Sequence, residues 1–307
     1  MIIDGDPGVD DAVALFMALA SPELQVLAIT TAAGNVGPAL TARNARIVRE
    51  IARREDVPVY AGAARPLVRT PVEAGHFHGE TGLGDLPIFE PRAPATAGHA
   101  ASAIIEAVMS HPPGSVAMAV MGPMTNLALA LLLEPAVAGR LGPLAVMGGA
   151  RSDGGNITAS AEYNVHADPH AARVVLEAGC RPVMLGLDAT HQVRATPERI
   201  AAIAALPGAA AQAVAGLLRF SARVERDLVG SESPPLHDPC TIAWLLRPEL
   251  FTSRPCRVSV ETDSPLTLGH TAVEFRLGDS DAPTAQWVTG ADADGVFTLL
   301  TERLAGA

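Results

Sequence analysis

The sequence has 307 residues, a net charge of −11, 49% hydrophobic residues and no lysine, so that all 22 basic side chains are arginines. This balance argues against a nucleic-acid-binding surface and favours a small-molecule or cation partner. Because α/β sheets of this length are often one domain, we expect a single domain over residues 1–307.

Three features of the sequence indicate a cytoplasmic protein. The first residues carry no basic region, and the longest apolar run is broken by Gly122, Pro123 and Asn126. The three cysteines are far apart and show no paired spacing. We therefore expect no signal peptide, no membrane span and reduced thiols.

Short apolar runs alternate along the chain with segments of helical period, which is typical of β–α–β units. Strands are predicted at 1–3, 26–31, 57–62, 116–121, 144–148 and 182–187. Helices are predicted at 10–20, 39–54, 98–110, 124–133, 168–178, 197–205, 209–226, 239–246 and 291–304. Runs at 256–261 and 266–275 alternate apolar and polar residues, which predicts an antiparallel edge. We expect an open, mostly parallel, Rossmann-like central sheet with helices on both faces.

Polar residues follow four of the predicted strands. The first strand is followed by DGDPGVDD, the second by AAGN, the fourth by GPMTN and the fifth by GARSDGGN. The carboxyl ends of parallel strands share one edge of a sheet, and ligands bind there in open α/β folds. The sequence therefore predicts a ligand site at this edge.

The stretch DGDPGVDD places Asp4, Asp6, Asp10 and Asp11 within eight residues, where their charges repel. Capping of the following helix accounts for one or two acids at such a position. A hard divalent cation would remove the repulsion among all four. Ca²⁺ suits clustered carboxylates and a backbone carbonyl better than Mg²⁺, which keeps more of its water.

Other polar stretches have both a structural and a functional interpretation. Asp238 in HDPC is either a plain helix N-cap or a distant metal ligand, with His237 as a candidate acid. Residues 154–169 supply amides and a carboxylate, which suit a polyhydroxylated ligand or simply form turns and caps. His76 and His78 lie in a glycine-rich stretch that forms either a mobile flap or an exposed loop.

In their order and spacing, DGDPGVDD, TTAAGN, MGPMTN, VMGG, NITASAEYN and HDPC resemble the inosine-uridine preferring nucleoside hydrolases. The resemblance runs from residue 2 to about residue 300. It implies the nucleoside hydrolase fold and Ca²⁺-dependent hydrolysis of ribonucleosides to free base and ribose. It also implies a homodimer or homotetramer that acts in nucleoside salvage.

The resemblance assigns roles to individual residues. The implied Ca²⁺ ligands are Asp6, Asp11, the carbonyl of Met121 and Asp238. The implied substrate contacts are Asp10, Asn35, Met147, Asn156, Glu162, Asn164 and His237. Asp6 would take the proton of the metal-bound water, and Asp10 would stabilise the positive charge of the transition state. His237 or His78 would act on the departing base.

The chain departs from the family where base recognition is concerned. Glu225 stands where characterised members place a tyrosine, whereas His78 matches a histidine of chiefly pyrimidine-preferring members, which inclines the prediction toward pyrimidines. One alternative is a Ca²⁺-dependent nucleoside- or ribose-binding protein without catalysis. Another is a phosphatase of the haloacid dehalogenase type, with LGDSDAP (277–283) as its later acidic motif. Gly8 and the absence of a phosphate-binding lysine oppose the phosphatase.

Overall fold

The computed structural model of the chain describes residues 1–278 and 282–306. Three residues of the LGDSDAP stretch, 279–281, lie outside the described residues, so the acidic motif of the phosphatase alternative does too. Within the described ranges, no helix is long and apolar enough to cross a membrane. The three cysteines are free thiols, as predicted, and Cys240 and Cys256 are buried.

The described strands form one mixed sheet. They are β1 (Ile2–Gly5), β2 (Ala28–Thr31), β3 (Val59–Ala61), β4 (Met118–Val120), β5 (Leu144–Met147), β6 (Val183–Leu185), β7 (Phe251–Val260), β8 (Thr271–Glu274) and β9 (Ala285–Ala291). Their order is β3-β2-β1-β4-β5-β6-β9-β7-β8. Neighbours from β3 to β9 are parallel, and β7 runs antiparallel to β9 and β8. The predicted parallel sheet with an antiparallel edge is confirmed.

Helices lie in the connections from β1 to β7, and α13 follows β9. The longer ones are α1 (Val9–Leu19), α2 (Pro38–Ile51), α4 (Ala100–Ser110), α5 (Thr125–Leu133), α8 (Pro169–Glu177), α10 (Pro197–Ala204), α11 (Ala209–Val229), α12 (Pro239–Leu246) and α13 (Ala293–Ala305). The short ones are α3 (Gly75–His78), α6 (Val137–Arg140), α7 (Tyr163–Ala167) and α9 (Leu187–Thr190). All nine predicted helices are present with small shifts at their ends.

Successive residues of a strand point to opposite faces of the sheet, and each face has its own apolar core. Ile3 and Ile29 pack with the core that includes α1, α2, α11, α12 and α13. Ile2 and Met118 pack with the other core, which includes α4, α5 and α8. Because apolar residues occupy both faces of β1 and β4, these strands lie in the middle of the molecule. The predicted helices on both faces are therefore confirmed.

The sequence patterns missed one strand and four short helices. β9 was not predicted because Ala285–Ala291 mixes small, polar and apolar residues, although Trp287 and Val288 in it are fully buried. The stretch around His78, predicted as a flap or loop, contains the short helix α3. One turn of helix is too short to produce a recognisable period.

The connections place a crevice between β1 and β4. From β1 the chain moves to β2 and β3 on one side and returns to β4 on the other side of β1. In open α/β sheets, ligands bind outside the carboxyl ends of the strands at such a reversal. DGDPGVDD leaves β1 at this point, and Met121 and Gly122 follow β4.

Candidate active site

The acidic stretch after β1 forms a tight turn and then the first turn of α1. Asp6 is fully buried, and its Oδ2 accepts a hydrogen bond from the backbone N–H of Asn35 at 2.6 Å. Its Oδ1 is buried and has no hydrogen-bond partner among the described residues. A Cβ atom on Gly122 would lie 2.3 Å from that Oδ1, so only glycine allows the backbone after β4 to approach Asp6 so closely.

Asp11 combines a helix-capping role with a place in the acidic cluster. Its Oδ2 accepts from the N–H of Gly8 at 2.9 Å, and its Oδ1 accepts from the N–H of Asp6 at 3.2 Å. Asn35 donates from Nδ2 to the Asp11 carboxylate at 3.1 Å and to the carbonyl of Asp6 at 3.2 Å. The capping interpretation therefore holds for Asp11, and Asn35 links the two acids.

Asp238 meets these acids from the far end of the sequence. Although it precedes α12, its side chain makes no capping hydrogen bond, so the plain N-cap interpretation does not hold. Carboxylate oxygens of Asp10, Asp11 and Asp238 lie within 4.8 Å of one another. Asp238 is 2% exposed, so its carboxylate is turned toward the cluster and away from solvent.

Burial and mutual repulsion shift the acids of the cluster in the same direction. Burial, and then the charge of Asp10, raises the pKa of Asp11 to about 8. Burial is also the main cause that raises the pKa of Asp6 and of Asp238 well above the ordinary value, with the neighbouring carboxylates adding to it. Such a site favours either bound protons or a cation.

The donor set fits a hard divalent cation. The oxygens of Asp10, Asp11 and Asp238 converge, and both Asp6 and Asp10 hold a buried Oδ1 without a hydrogen-bond partner in the described part of the chain. Hard cations take carboxylate and carbonyl oxygens, which are the atoms gathered here. These residues can therefore hold a metal ion.

Asp4 lies apart from this cluster. It shares the face of Ile2, and its Oδ1 accepts from Thr30 Oγ1 at 2.6 Å and from Asn126 Nδ2 at 2.8 Å. Asn126 in turn accepts from the N–H of Ala63 at 2.8 Å. Burial raises the pKa of Asp4 to about 7 despite these hydrogen bonds. Asp4 thus ties β1 to β2, α5 and the chain after β3.

A cavity of about 520 Å³ opens over the acidic cluster. We call the strand-end side of the cavity the inner wall. Its lining residues are Asp10, Asn35, Met121, Met147, Asn156, Glu162, Asn164, His237 and Asp238. We include with them the buried Asp6 and Asp11, which belong to the acidic cluster but are not among the lining residues. Asn164 donates from Nδ2 to the carbonyl of Met121 at 2.9 Å and to that of Met147 at 3.2 Å. The carbonyl expected to bind a metal therefore also accepts from an amide of the inner wall.

The remaining residues predicted to contact substrate also line the cavity. Glu162 caps α7 by accepting from the N–H groups of Asn164 and Val165, and burial raises its pKa. Asn156 accepts from the N–H of Tyr163 at 2.8 Å. The capping interpretation is therefore correct for Glu162. The same side chain also lines the cavity, so capping does not exclude a contact with substrate.

Of the three histidines singled out in the sequence, His237 and His78 line the cavity. His237 Nδ1 lies 2.8 Å from Thr190 Oγ1, and burial lowers the pKa of His237 to about 4. His78 Nδ1 accepts from the N–H of Val9 at 3.1 Å and lies 3.8 Å from Asp10 Oδ1. Burial also lowers the pKa of His78. His76, by contrast, is exposed.

Of the outer part of the cavity, the sequence indicated only Glu225, at a position that the family resemblance links to base recognition. We call this part the outer wall, and it consists of His191, Arg194, Ser221, Val224, Glu225 and Val229. The His191 ring centroid lies 5.7 Å from that of His237, and its Nδ1 lies 2.9 Å from Asp153 Oδ2. The rule that polar residues follow strand ends would have found His191, which comes soon after β6. Nothing in the sequence pairs Arg194 with Glu225.

Comparison with known proteins identifies the class of enzyme to which this fold and cavity belong. Residues 1–298 match the family model of inosine-uridine preferring nucleoside hydrolases. The chain therefore belongs to the inosine-uridine preferring nucleoside hydrolase family, whose reaction is hydrolysis of the N-ribosyl bond.

Individual relatives cover nearly the whole chain. An uncharacterised protein of Schizosaccharomyces pombe is 41% identical over 304 residues, covering 99% of this chain and 98% of its own length. The pyrimidine-specific ribonucleoside hydrolase RihA of Shewanella oneidensis is 42% identical over 310 residues, with 99% and 96% covered.

Solved structures give the same picture of the fold. A plant nucleoside hydrolase superposes with a TM-score of 0.93 at 32% identity, over 99% of this chain and 98% of its own. A purine-preferring ribonucleoside hydrolase from Gardnerella vaginalis also superposes with a TM-score of 0.93, at 29% identity over 100% and 99%. The nucleoside hydrolase fold predicted from the motifs is thus confirmed.

Proposed function

We propose that this protein is a Ca²⁺-dependent ribonucleoside hydrolase that releases free base and ribose. The observation that carries the proposal is the buried acidic cluster at the base of the cavity, with an unpartnered Oδ1 on Asp6 among the described residues. Burying an ionised carboxylate among other carboxylates is unfavourable in free energy unless a cation or a bound proton compensates the charge. The family match supports the reaction class.

The proposed ion would be held by the inner wall. Asp6, Asp11, Asp238 and the carbonyl of Met121 supply the hard oxygen ligands that Ca²⁺ prefers. Bound there, the ion would lower the pKa of a coordinated water and fix the sugar hydroxyls. Asp10, which is part of the converging set, is the residue most directly available to the sugar because it is only partly buried.

In the proposed reaction, Asp6 acts as the general base. Its Oδ1 takes the proton as the water oxygen bonds to C1′ of the ribose, while the N-glycosidic bond breaks and its electron pair leaves with the base. The ribose carries positive charge in the transition state, and the Asp10 carboxylate stabilises it. Because Asn35 donates to Asp6 and Asp11, it holds this geometry.

The other residues of the inner wall are proposed to bind the sugar. Asn35, Met147, Asn156, Glu162 and Asn164 surround the cavity above the cluster. A polar site that pairs each hydroxyl strongly rejects a sugar that lacks one. We therefore expect 2′-deoxyribonucleosides to be poor substrates.

His237 and His78 are proposed to act on the departing base. Because the pKa of His237 is about 4, its imidazole is neutral at physiological pH and donates a hydrogen bond from one nitrogen only. Thr190 holds Nδ1, which leaves Nε2 for the base. A pyrimidine preference is proposed from His78 and from the pyrimidine-specific RihA relatives.

The experiment that tests this proposal is ribose release from a panel of ribonucleosides, with and without a chelator. Release from at least one pyrimidine ribonucleoside, loss on chelation and recovery with Ca²⁺ are expected. If no ribonucleoside releases ribose although nucleosides bind, the chain is a binding protein instead. Release that persists after complete metal removal would contradict the proposed mechanism. The cytoplasmic location, the homo-oligomeric state and the single domain stay predictions.

A further inference from the structure

The outer wall holds an ion pair that the hydrolysis mechanism does not use. Arg194 follows α9, Glu225 lies on α11, and both line the cavity above the acidic cluster. Arg194 Nη1 lies 3.2 Å from Glu225 Oε1. The pair is only partly buried, with side-chain exposures of 38% and 20%, so it contributes little to stability. Stability therefore does not explain why this ion pair lies at the cavity, and contact with a ligand is the alternative explanation.

Arg194 is fixed by the backbone around it. Its Nε donates to the carbonyl of His191 at 3.0 Å, and its Nη1 donates to the carbonyl of Ser233 at 3.1 Å as well as to Glu225. Among the hydrogen bonds of the described residues, Arg194 Nη2 and Glu225 Oε2 take no partner. The pair thus retains one donor and one acceptor next to each other.

The pair also lies beside the histidine proposed to face the departing base. Arg194 bonds to the backbone of His191, whose ring is 5.7 Å from the ring of His237. The acidic cluster and the sugar contacts occupy the inner wall. The part of the cavity left for the nucleobase is therefore lined by the outer wall together with residues that belong to neither wall, among them Phe77, His78 and Ile157.

We propose that Arg194 and Glu225 read the edge of the nucleobase: Arg194 donates to a ring carbonyl and Glu225 accepts from the adjacent ring N–H, as in uracil. This inference rests on the proposed hydrolysis of ribonucleosides and deepens it. Both residues are specificity-determining and take no part in bond cleavage.

Uracil fits this donor and acceptor better than cytosine does. The N3–H of uracil has a carbonyl on each side, so it matches the pair in either orientation of the ring. Cytosine carries a lone pair at N3, which a carboxylate repels. A site built to bond an N–H disfavours a base that lacks it, because the bound base covers the polar groups of the site and leaves them unpaired.

The first experiment uses the unmodified protein with uridine, 3-methyluridine and 5-methyluridine. The N3 methyl group removes the N–H, whereas the C5 methyl group adds the same bulk elsewhere on the ring. We expect kcat/KM to fall by about tenfold or more for 3-methyluridine relative to both others. Equal values for uridine and 3-methyluridine would overturn the inference.

The second experiment compares Glu225→Gln with Asp227→Asn as a matched control. The amide introduced by Glu225→Gln keeps an oxygen for Arg194 but presents an NH₂ group to the base, so the uridine-to-cytidine ratio of kcat/KM should fall by about tenfold or more. Asp227 is exposed on the same helix and pairs with Arg226, so its amide variant should keep the wild-type ratio. An unchanged ratio in the Glu225→Gln protein contradicts the inference.

A substrate without a nucleobase separates the two proposals. p-Nitrophenyl β-D-riboside has the ribosyl bond and an activated leaving group but no ring N–H. If neither it nor any nucleoside is cleaved, the proposed hydrolase function fails. If it and uridine are cleaved but the N3 methyl group and the Glu225→Gln substitution change no ratio, only base reading by the ion pair fails.

Discussion

The inner and outer walls of the cavity are built by different means. Asp6 and Asp11 on the inner wall are fully buried, and backbone amides at a strand end fix their carboxylates. On the outer wall Val229 is 67% exposed, and α11 carries it together with Glu225. A side chain at the end of a buried strand is held in one position by the backbone around it. A side chain on an exposed helix is constrained much less, because the helix determines only the direction in which the side chain points. We therefore expect chemistry from the inner wall and selectivity from the outer wall.

The largest expected effect of any single change is at Asp6. Asp6→Asn keeps an oxygen for the Asn35 N–H but cannot take a proton, so kcat should fall by about 10²–10⁴-fold. The melting temperature should change little, because the substitution is isosteric. As a control, Asp85→Asn, an exposed acid paired with Arg223, should keep its kcat. Near-normal turnover by the Asp6→Asn protein would exclude Asp6 as the base.

The next largest effect is a loss of stability when Gly122, which lies close to Asp6, is substituted. Gly122→Ala places a methyl group 2.3 Å from Asp6 Oδ1, so the acid or the backbone must move. We expect the free energy of unfolding to fall by about 1–3 kcal/mol, measured by denaturant titration. Gly139→Ala in α6 is the matched control, because its methyl group meets no atom within 4 Å and alanine favours a helix. Equal stabilities of the two variants would contradict this account.

The buried acids Asp4 and Asp11 should also make stability depend on pH. In metal-free protein, the pKa values of Asp4 and Asp11 are about 7 and about 8, above the unfolded value of about 3.9. The native state therefore binds more protons than the unfolded state between these values, so the free energy of unfolding should fall as pH rises from about 4 to 8.

Added Ca²⁺ should oppose that fall, because it favours the ionised carboxylates. Melting temperatures at pH 5 and pH 8, with EDTA and with Ca²⁺, measure both effects. Greater stability of the metal-free protein at pH 8 than at pH 5 would contradict the raised pKa values of these buried carboxyl groups.

The smallest effect is expected at Val229 on the outer wall, where the substitution of valine by alanine is compared with the same substitution in the core. Val120 in β4 is fully buried beneath the inner wall, so Val120→Ala should lower the free energy of unfolding by about 1.5–3 kcal/mol. Val229→Ala on the outer wall should change it by no more than about 0.5 kcal/mol. Denaturant titration of both proteins tests the difference in packing, and similar losses would show that the outer wall is packed as tightly as the core.

The sequence predicts the inner wall well because its residues are local to strand ends. A turn between a buried strand and a helix determines where Asp6 and Asp11 lie, and these residues sit within one short motif. Asp238 needs the whole fold to reach them, so the residues alone left open whether it caps a helix or joins the acidic cluster, and the family resemblance indicated the cluster. The hydrogen bond of Asp4 to Asn126 joins residues 122 positions apart, which no local pattern encodes.

The pairing of Arg194 with Glu225 on the outer wall could not be predicted, for a physical reason. Arg194 and Glu225 are common surface residues, and a helical period tells which face of α11 is polar but not what opposes it. β9 was missed because burial of Trp287 and Val288 depends on β6 and β7 beside it. Both failures concern residues whose role is decided by neighbours distant in the chain.

The hydrogen bond between His78 and the Val9 amide connects a long loop to the start of α1. Residues 62–99 link β3 to α4 with one short helix, and His78 is the member of that loop that accepts from Val9. If the loop lifts from the cavity, this amide loses its acceptor and becomes free to exchange with solvent. The hydrogen-exchange rate of a single backbone position therefore reports how often the cavity opens and how strongly a bound nucleoside keeps it closed.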